Sequence, residues 1–95
     1  MSNDALRIAI VGCGQIAQQH MQNYQKLDGV EMVAFCDLDL AAAQKAAETY
    51  GPADATSDFR EILKRDDVDA VDVCLHNNLH APLTIAALEA GKHVY

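Results

Sequence analysis

The segment from Leu6 to Ala17 constrains this chain more than any other. Leu6-Arg7-Ile8-Ala9-Ile10-Val11 is a short, nearly continuous aliphatic run, the pattern of a strand buried on both faces. It enters Gly12-Cys13-Gly14, after which Ile16, His20, Tyr24 and Leu27 recur at helical spacing with Ala17 and Met21 beside them. A strand buried on both faces needs helices on both sides of its sheet. One that leads straight into a helix is the opening half of a β–α–β unit.

The rest of the chain repeats that unit. Asp28-Gly29 stops the first helix, glycine supplying a left-handed closing position. Val30 to Cys36 is the second strand. Asp37 to Asp39 turns into a helix with Leu40, Ala43, Ala47 and Tyr50 on its inner face, ended by Gly51-Pro52. Ala53 to Thr56 reads as a short edge strand. Ser57 or Asp58 caps a brief helix through Leu63, with Glu61 placed as in a capping box. Val68 to Leu75 is the fourth strand, His76-Asn77-Asn78 a loop, and the last helix carries Pro82 in its first turn and Gly91 at its close. Lys92 to Tyr95 begins a fifth strand. The expected fold class is α/β: a parallel sheet with helices on both faces and right-handed crossovers, broken off at the start of its fifth strand. Asp72 fits this pattern poorly, because a carboxylate inside a buried strand needs a partner or a place at the sheet's end.

Composition narrows the class. Ninety-five residues, 51% of them hydrophobic, suffice for one small domain and one modest core. The net charge of −7 argues against nucleic acid and against an anionic membrane surface. No apolar run approaches the ~20 residues of a membrane span, and the start of the chain lacks a signal peptide. Three widely spaced cysteines, Cys13, Cys36 and Cys74, fit reduced thiols of a cytoplasmic protein better than a disulfide scaffold. Neither they nor the four scattered histidines show metal-ligand spacing. His20 and His93 read as packing residues.

Gly12-Cys13-Gly14-Gln15-Ile16-Ala17 has the spacing GxGxxA. Gly12 allows a tight turn, Gly14 lets a pyrophosphate approach the backbone, and Ala17 lets helix and strand pack closely. The helix start then offers free N–H groups and a partial positive charge, which suits an anion even in an acidic chain. Asp37 ends the second strand 20 residues beyond Ala17, where an acid can bind the adenosine ribose of a dinucleotide. Charged hydrogen bonds of this kind contribute about 1.5–3 kcal/mol each. A 2′-phosphate at the same place would meet repulsion on the order of 4 kcal/mol at ~4 Å, and no Arg or Lys follows before Lys45. NAD is therefore expected in preference to NADP. Asp39 is free to cap the second helix in place of Asp37. At the carboxyl end of the fourth strand, His76 and Asn77 are placed to border the nicotinamide half. His80 either contacts a ligand or serves the start of the last helix.

These pieces resemble one family. The run Arg7 to Ala17, the Cys36-Asp37 step, Val68-Asp69-Ala70-Val71, Asn77-Asn78-Leu79-His80 and Ala87 to Val94 are similar to the N-terminal domain of the Gfo/Idh/MocA oxidoreductases. The resemblance implies a Rossmann-type NAD(P)-binding domain, with a C-terminal substrate domain that residues 1–95 lack. It implies that Gly12, Gly14, Gln15 and Ile16 bind pyrophosphate in a cofactor-binding loop that includes Cys13, that Asp37 binds the ribose, and that Leu75, His76, Asn77 and His80 lie along the nicotinamide side. It implies oxidation or reduction of a CH–OH group in a sugar, inositol or related polyol by the full-length protein. Leu75-His76 departs from the family's usual Thr-Pro. The family's Glu-Lys-Pro motif would follow Tyr95, so no catalytic residue is assigned here. Two alternatives stand beside this reading. A dinucleotide-binding module could act without catalysis and form a homo-oligomer through an unpaired sheet edge. A class I S-adenosylmethionine-dependent methyltransferase shares the glycine turn and the ribose acid, but commonly has an acid where this chain has Ile10 and a glycine where it has Ile16.

Overall fold

Strand and helix alternate throughout: β1 (Leu6–Val11), α1 (Gln15–Lys26), β2 (Val30–Cys36), α2 (Leu40–Tyr50), β3 (Asp54–Thr56), α3 (Phe59–Leu63), β4 (Ala70–Val73), α4 (His80–Glu89) and β5 (His93–Val94). The computed structural model describes residues 5–74 and 80–95, without the side chains of Gln15, Ile16 and His80. The strands form one sheet in the order β3-β2-β1-β4-β5, and every pairing is parallel. The chain therefore builds outward from β1 to β3, then crosses over and builds outward again through β4 and β5. That reversal opens a crevice at the carboxyl ends of β1 and β4, where open α/β sheets bind ligands.

The period-2 alternation of β1 divides the core into two layers. Ile8 and Ile10 face Ala17 and Met21 of α1 and Ala43 and Ala46 of α2. Ala9 and Val11 face the other way, toward Ile62 of α3 and Ala87 of α4. In β2 the alternation slips. The register with β1 shifts between Ile8 and Ala9, so that Met32 pairs with Ile8 and Ala34 with Ala9. Val33 is the extra residue of this bulge, and Met32 and Phe35, three apart, share one layer. Burying Phe35, Ile8 and Ile10 completely stabilises the fold by roughly 1.5–3 kcal/mol per side chain.

The expected caps at Asp39 and Asp58 are present: each carboxylate accepts the backbone N–H two residues on, from Ala41 and Arg60. The reciprocal half of the capping box is replaced, because the Asp58 N–H donates to Thr56 Oγ1. Gly29 does not close α1, which ends at Lys26 with Leu27 extended. Its positive φ of 82° serves the turn into β2, and its carbonyl accepts from the Leu6 N–H. Gly91 does close α4. With φ at 81°, its N–H reaches the Leu88 carbonyl and the Lys92 N–H the Ala87 carbonyl, the two bonds of a Schellman motif. The paired part of the fourth strand is shorter than the apolar run Val68–Leu75. Arg7 marks its entry, clamping Asp69 through two guanidinium contacts of 3.1 Å. Among the described residues, no helix is long and apolar enough to cross a membrane.

Candidate functional site

The turn between β1 and α1 is held by β2. The Gly12 N–H donates to the Cys36 carbonyl at 2.8 Å, and the Cys13 thiol donates to the same oxygen. Gly12 is buried with φ at 91°, a conformation that side-chain-bearing residues rarely adopt. Ala17 is fully buried beneath the turn, so α1 packs closely on the sheet as the small residue allows.

Gly14 carries a different message. It is exposed, its φ is −80°, and a Cβ placed on it would meet no protein atom within 4 Å. Neither backbone freedom nor internal packing requires glycine at this position. What the missing side chain leaves is open space over the first amides of α1. Among the described residues no side chain caps that helix end, and no acidic residue lies in its first turn. By contrast, α2 and α3 are both capped by aspartate.

Asp37 reaches into this turn from the end of β2. Its Oδ2 accepts the Cys13 N–H at 2.8 Å and its Oδ1 accepts the Asp39 N–H at 2.8 Å. An ionised carboxylate offers about four acceptor positions, and two are taken among the described residues. The carboxylate leaves its mark on nearby thiols: burial first, and Asp37 second, push Cys13 up to about 12 and Cys36 up to about 11. Both therefore stay protonated near neutral pH and are excluded as nucleophiles. Beside the turn, a groove between α1 and α2 is lined by Gly14, Gln18, Lys45, Ala46 and Tyr50. Lys45 brings a cation to this groove that the linear spacing from Asp37 did not suggest.

The structure thus joins Gly12, Cys13, Gly14 and Asp37. Gln15 and Ile16 open α1 with their side chains outside the described residues, as does His80 at the start of α4. Leu75, His76 and Asn77 also lie outside the described residues. Two histidine expectations are corrected. His93 is exposed on β5 because its neighbours Val94 and Lys92 turn inward in its place. His20 is half-exposed and bonds Asp72 rather than packing in the core. Asp72, 1% exposed, has the partners it needs: Tyr24 donates to it at 2.6 Å, His20 Nδ1 lies at 2.7 Å, and the Cys74 thiol donates at 3.2 Å. Their separation of up to 52 residues along the chain from Asp72 hid that set from the sequence.

Residues 6–95 match the family described as "Oxidoreductase family, NAD-binding Rossmann fold" (GFO_IDH_MocA). The chain is 42% identical over 95 residues to D-glucoside 3-dehydrogenase of Escherichia coli K12, covering 99% of this chain and 27% of that protein. Among solved structures, it is similar to KijD10, a 3-ketoreductase from Actinomadura kijaniata in complex with NADP, with a TM-score of 0.88 and 33% identity over 95% of this chain and 29% of that one. It is also similar to myo-inositol dehydrogenase from Lactobacillus casei in complex with NAD(H) and myo-inositol, with a TM-score of 0.89 and 27% identity over 95% of this chain and 27% of that one. The chain spans 22–28% of the length of the curated relatives it matches.

Proposed function

Because this chain belongs to the Gfo/Idh/MocA oxidoreductase family, with its NAD-binding Rossmann fold, we propose that it is the cofactor-holding part of an NAD-dependent dehydrogenase. The full-length enzyme would act on a CH–OH group of a sugar, inositol or related polyol. The observation that carries this reading is the meeting of Asp37 with the glycine turn: its carboxylate bonds Cys13 at 2.8 Å beside the unobstructed face of Gly14. In this reading the turn from Gly12 to Ile16 holds the pyrophosphate. The Gly12 and Cys13 amides fix its shape through Cys36 and Asp37, the amides of Gly14, Gln15 and Ile16 meet the ligand, and Asp37 holds the adenosine ribose. Leu75, His76, Asn77 and His80 border the nicotinamide. The bound dinucleotide supplies hydride transfer. This chain's residues bind and orient it, and the groups that move the proton are expected outside residues 1–95.

NAD is the preferred cofactor in this proposal, since a 2′-phosphate would crowd Asp37. NADP has one observation in its favour, Lys45 in the neighbouring groove, and KijD10 was solved with NADP. Titrating the chain with NADH and with NADPH, read by nicotinamide fluorescence, separates the two. Tighter binding of NADH is expected, and Asp37→Ala should weaken it at least tenfold, the equivalent of about 1.5 kcal/mol. Equal affinity of the variant and the unsubstituted chain would overturn the assignment of Asp37.

A further inference from the structure

On the opposite side of β1 from Asp37, three unlike side chains converge. Asp72 and Cys74 project from alternate positions of the β4 segment, and His20 from α1 closes over them. The Cys74 Sγ lies 3.5 Å from His20 Nδ1 and 3.2 Å from Asp72 Oδ1, and His20 Nδ1 lies 2.7 Å from Asp72 Oδ2. One nitrogen, one oxygen and one sulfur thus sit within 4.8 Å of one another.

The ordinary catalytic reading of such a trio fails. A thiol–imidazole–carboxylate relay needs the thiol and the carboxylate on different ring nitrogens, whereas here both meet Nδ1. What the arrangement does match is a coordination sphere. A tetrahedral zinc ion with bonds of ~2.3 Å to sulfur and ~2.05 Å to nitrogen holds those two atoms about 3.6 Å apart. The sulfur–nitrogen distance is already of that size. The nitrogen–oxygen distance is shorter than the roughly 3.3 Å a tetrahedral ion sets, so His20 must swing outward by about half an ångström. Its half-exposed ring is free to do so. The outer layer is also in place, because the Tyr24 hydroxyl donates to Asp72 Oδ2 at 2.6 Å, the kind of second hydrogen bond that orients ligating carboxylates.

We propose that His20, Asp72 and Cys74 form a binding site for a divalent transition-metal ion of the zinc type, with water completing the fourth position. Binding breaks the S–H bond of Cys74 and forms a metal–sulfur bond, the proton passing to solvent. The carboxylate, the thiolate and a neutral imidazole then balance the ion's two charges. No oxidation or reduction is involved. The sulfur and nitrogen ligands exclude magnesium and calcium, which take oxygen.

Cobalt(II) tests the site, because thiolate ligation gives a near-ultraviolet charge-transfer band and tetrahedral geometry a visible one. Titrated into the reduced chain, cobalt should produce both bands at one ion per chain, and zinc should abolish them. Cys74→Ser should remove the charge-transfer band and His20→Gln should weaken binding at least about tenfold, while Cys36→Ser leaves both bands in place. Tyr24→Phe should retain the bands with affinity lowered roughly 10–100-fold. In the unsubstituted chain, zinc should shift the ring resonances of His20 and not those of His93, a readout that needs no variant. Absence of the bands at saturating cobalt, their persistence in Cys74→Ser, or an unmoved His20 ring would each overturn the proposal.

Discussion

Asp72 shows what one side chain requires of its surroundings. An unpaired carboxylate at 1% exposure would cost several kcal/mol, and three donors from two elements remove that cost. Asp72→Ala should therefore destabilise the chain by on the order of 2–3 kcal/mol, because the Tyr24 hydroxyl and Cys74 thiol lose their acceptor. Urea unfolding in the presence of a chelator measures this apart from any metal effect. The misfit of Asp72 was legible in the sequence because a charged residue interrupts an apolar run. Its partners were not, since Tyr24 and His20 are 48 and 52 residues away and only the crossover from β3 that sets β4 beside β1 brings them together. Asp37 was easier to read. Its spacing from the glycine turn is fixed by one helix and one strand of standard length, and the structure sets it 2.8 Å from Cys13. Its contact with a dinucleotide remains part of the proposal.

At the scale of elements, legibility followed the strength of local signals. The limits of β1 and β2 coincide with their apolar runs, because a run buried on two faces has polar residues only at its ends. The bulge at Val33 had no such signal, as a bulge is a property of two strands in register. Gly29 carries an ambiguous signal, because a positive φ serves a helix end and a strand-entry turn equally well, and the structure uses it for the turn. The Ala-Gly-Lys-His-Val stretch, read first as a family resemblance, has a structural cause. The Lys92 ammonium, nearly buried, donates to the carbonyls of Arg65 at 2.8 Å and Val68 at 3.0 Å. It thereby fastens the end of α4 to the segment that leads into β4. Lys92→Met keeps the apolar stem but leaves both carbonyls without this donor. It should lower stability by about 1.5–3 kcal/mol, read from the denaturation midpoint at constant m-value.

For the molecule as a whole, charge sets the behaviour in acid. Arg7 holds Asp69, Arg60 holds Asp58 and Arg65 holds Asp67 below the usual carboxylate value of 3.8, chiefly through side-chain hydrogen bonds. A carboxyl depressed in the folded state adds stability above its unfolded pKa and loses it as pH falls through the folded one. The unfolding midpoint should accordingly lose the contribution of these pairs below about pH 4. The loss should be small, since solvent screens exposed pairs of this kind, and smaller still in high salt. Arg65→Met should flatten part of that acid limb in a pH series of urea titrations. Fold class was the most legible property of all, because alternating periods and short connections demand a parallel sheet with helices on both faces. The strand order with its reversal at β1 carried no such signal, since alternating elements fit more than one doubly wound order.

The bare first turn of α1 sets thermal endurance against ligand capture. Installing an aspartate cap, Gly14→Asp, meets no steric obstacle and should make the helix firmer by a few tenths of a kcal/mol. The same carboxylate would occupy the amides and repel a diphosphate. A melting temperature that rises while NADH affinity collapses would show that this helix has been left unfinished so that its cofactor can finish it.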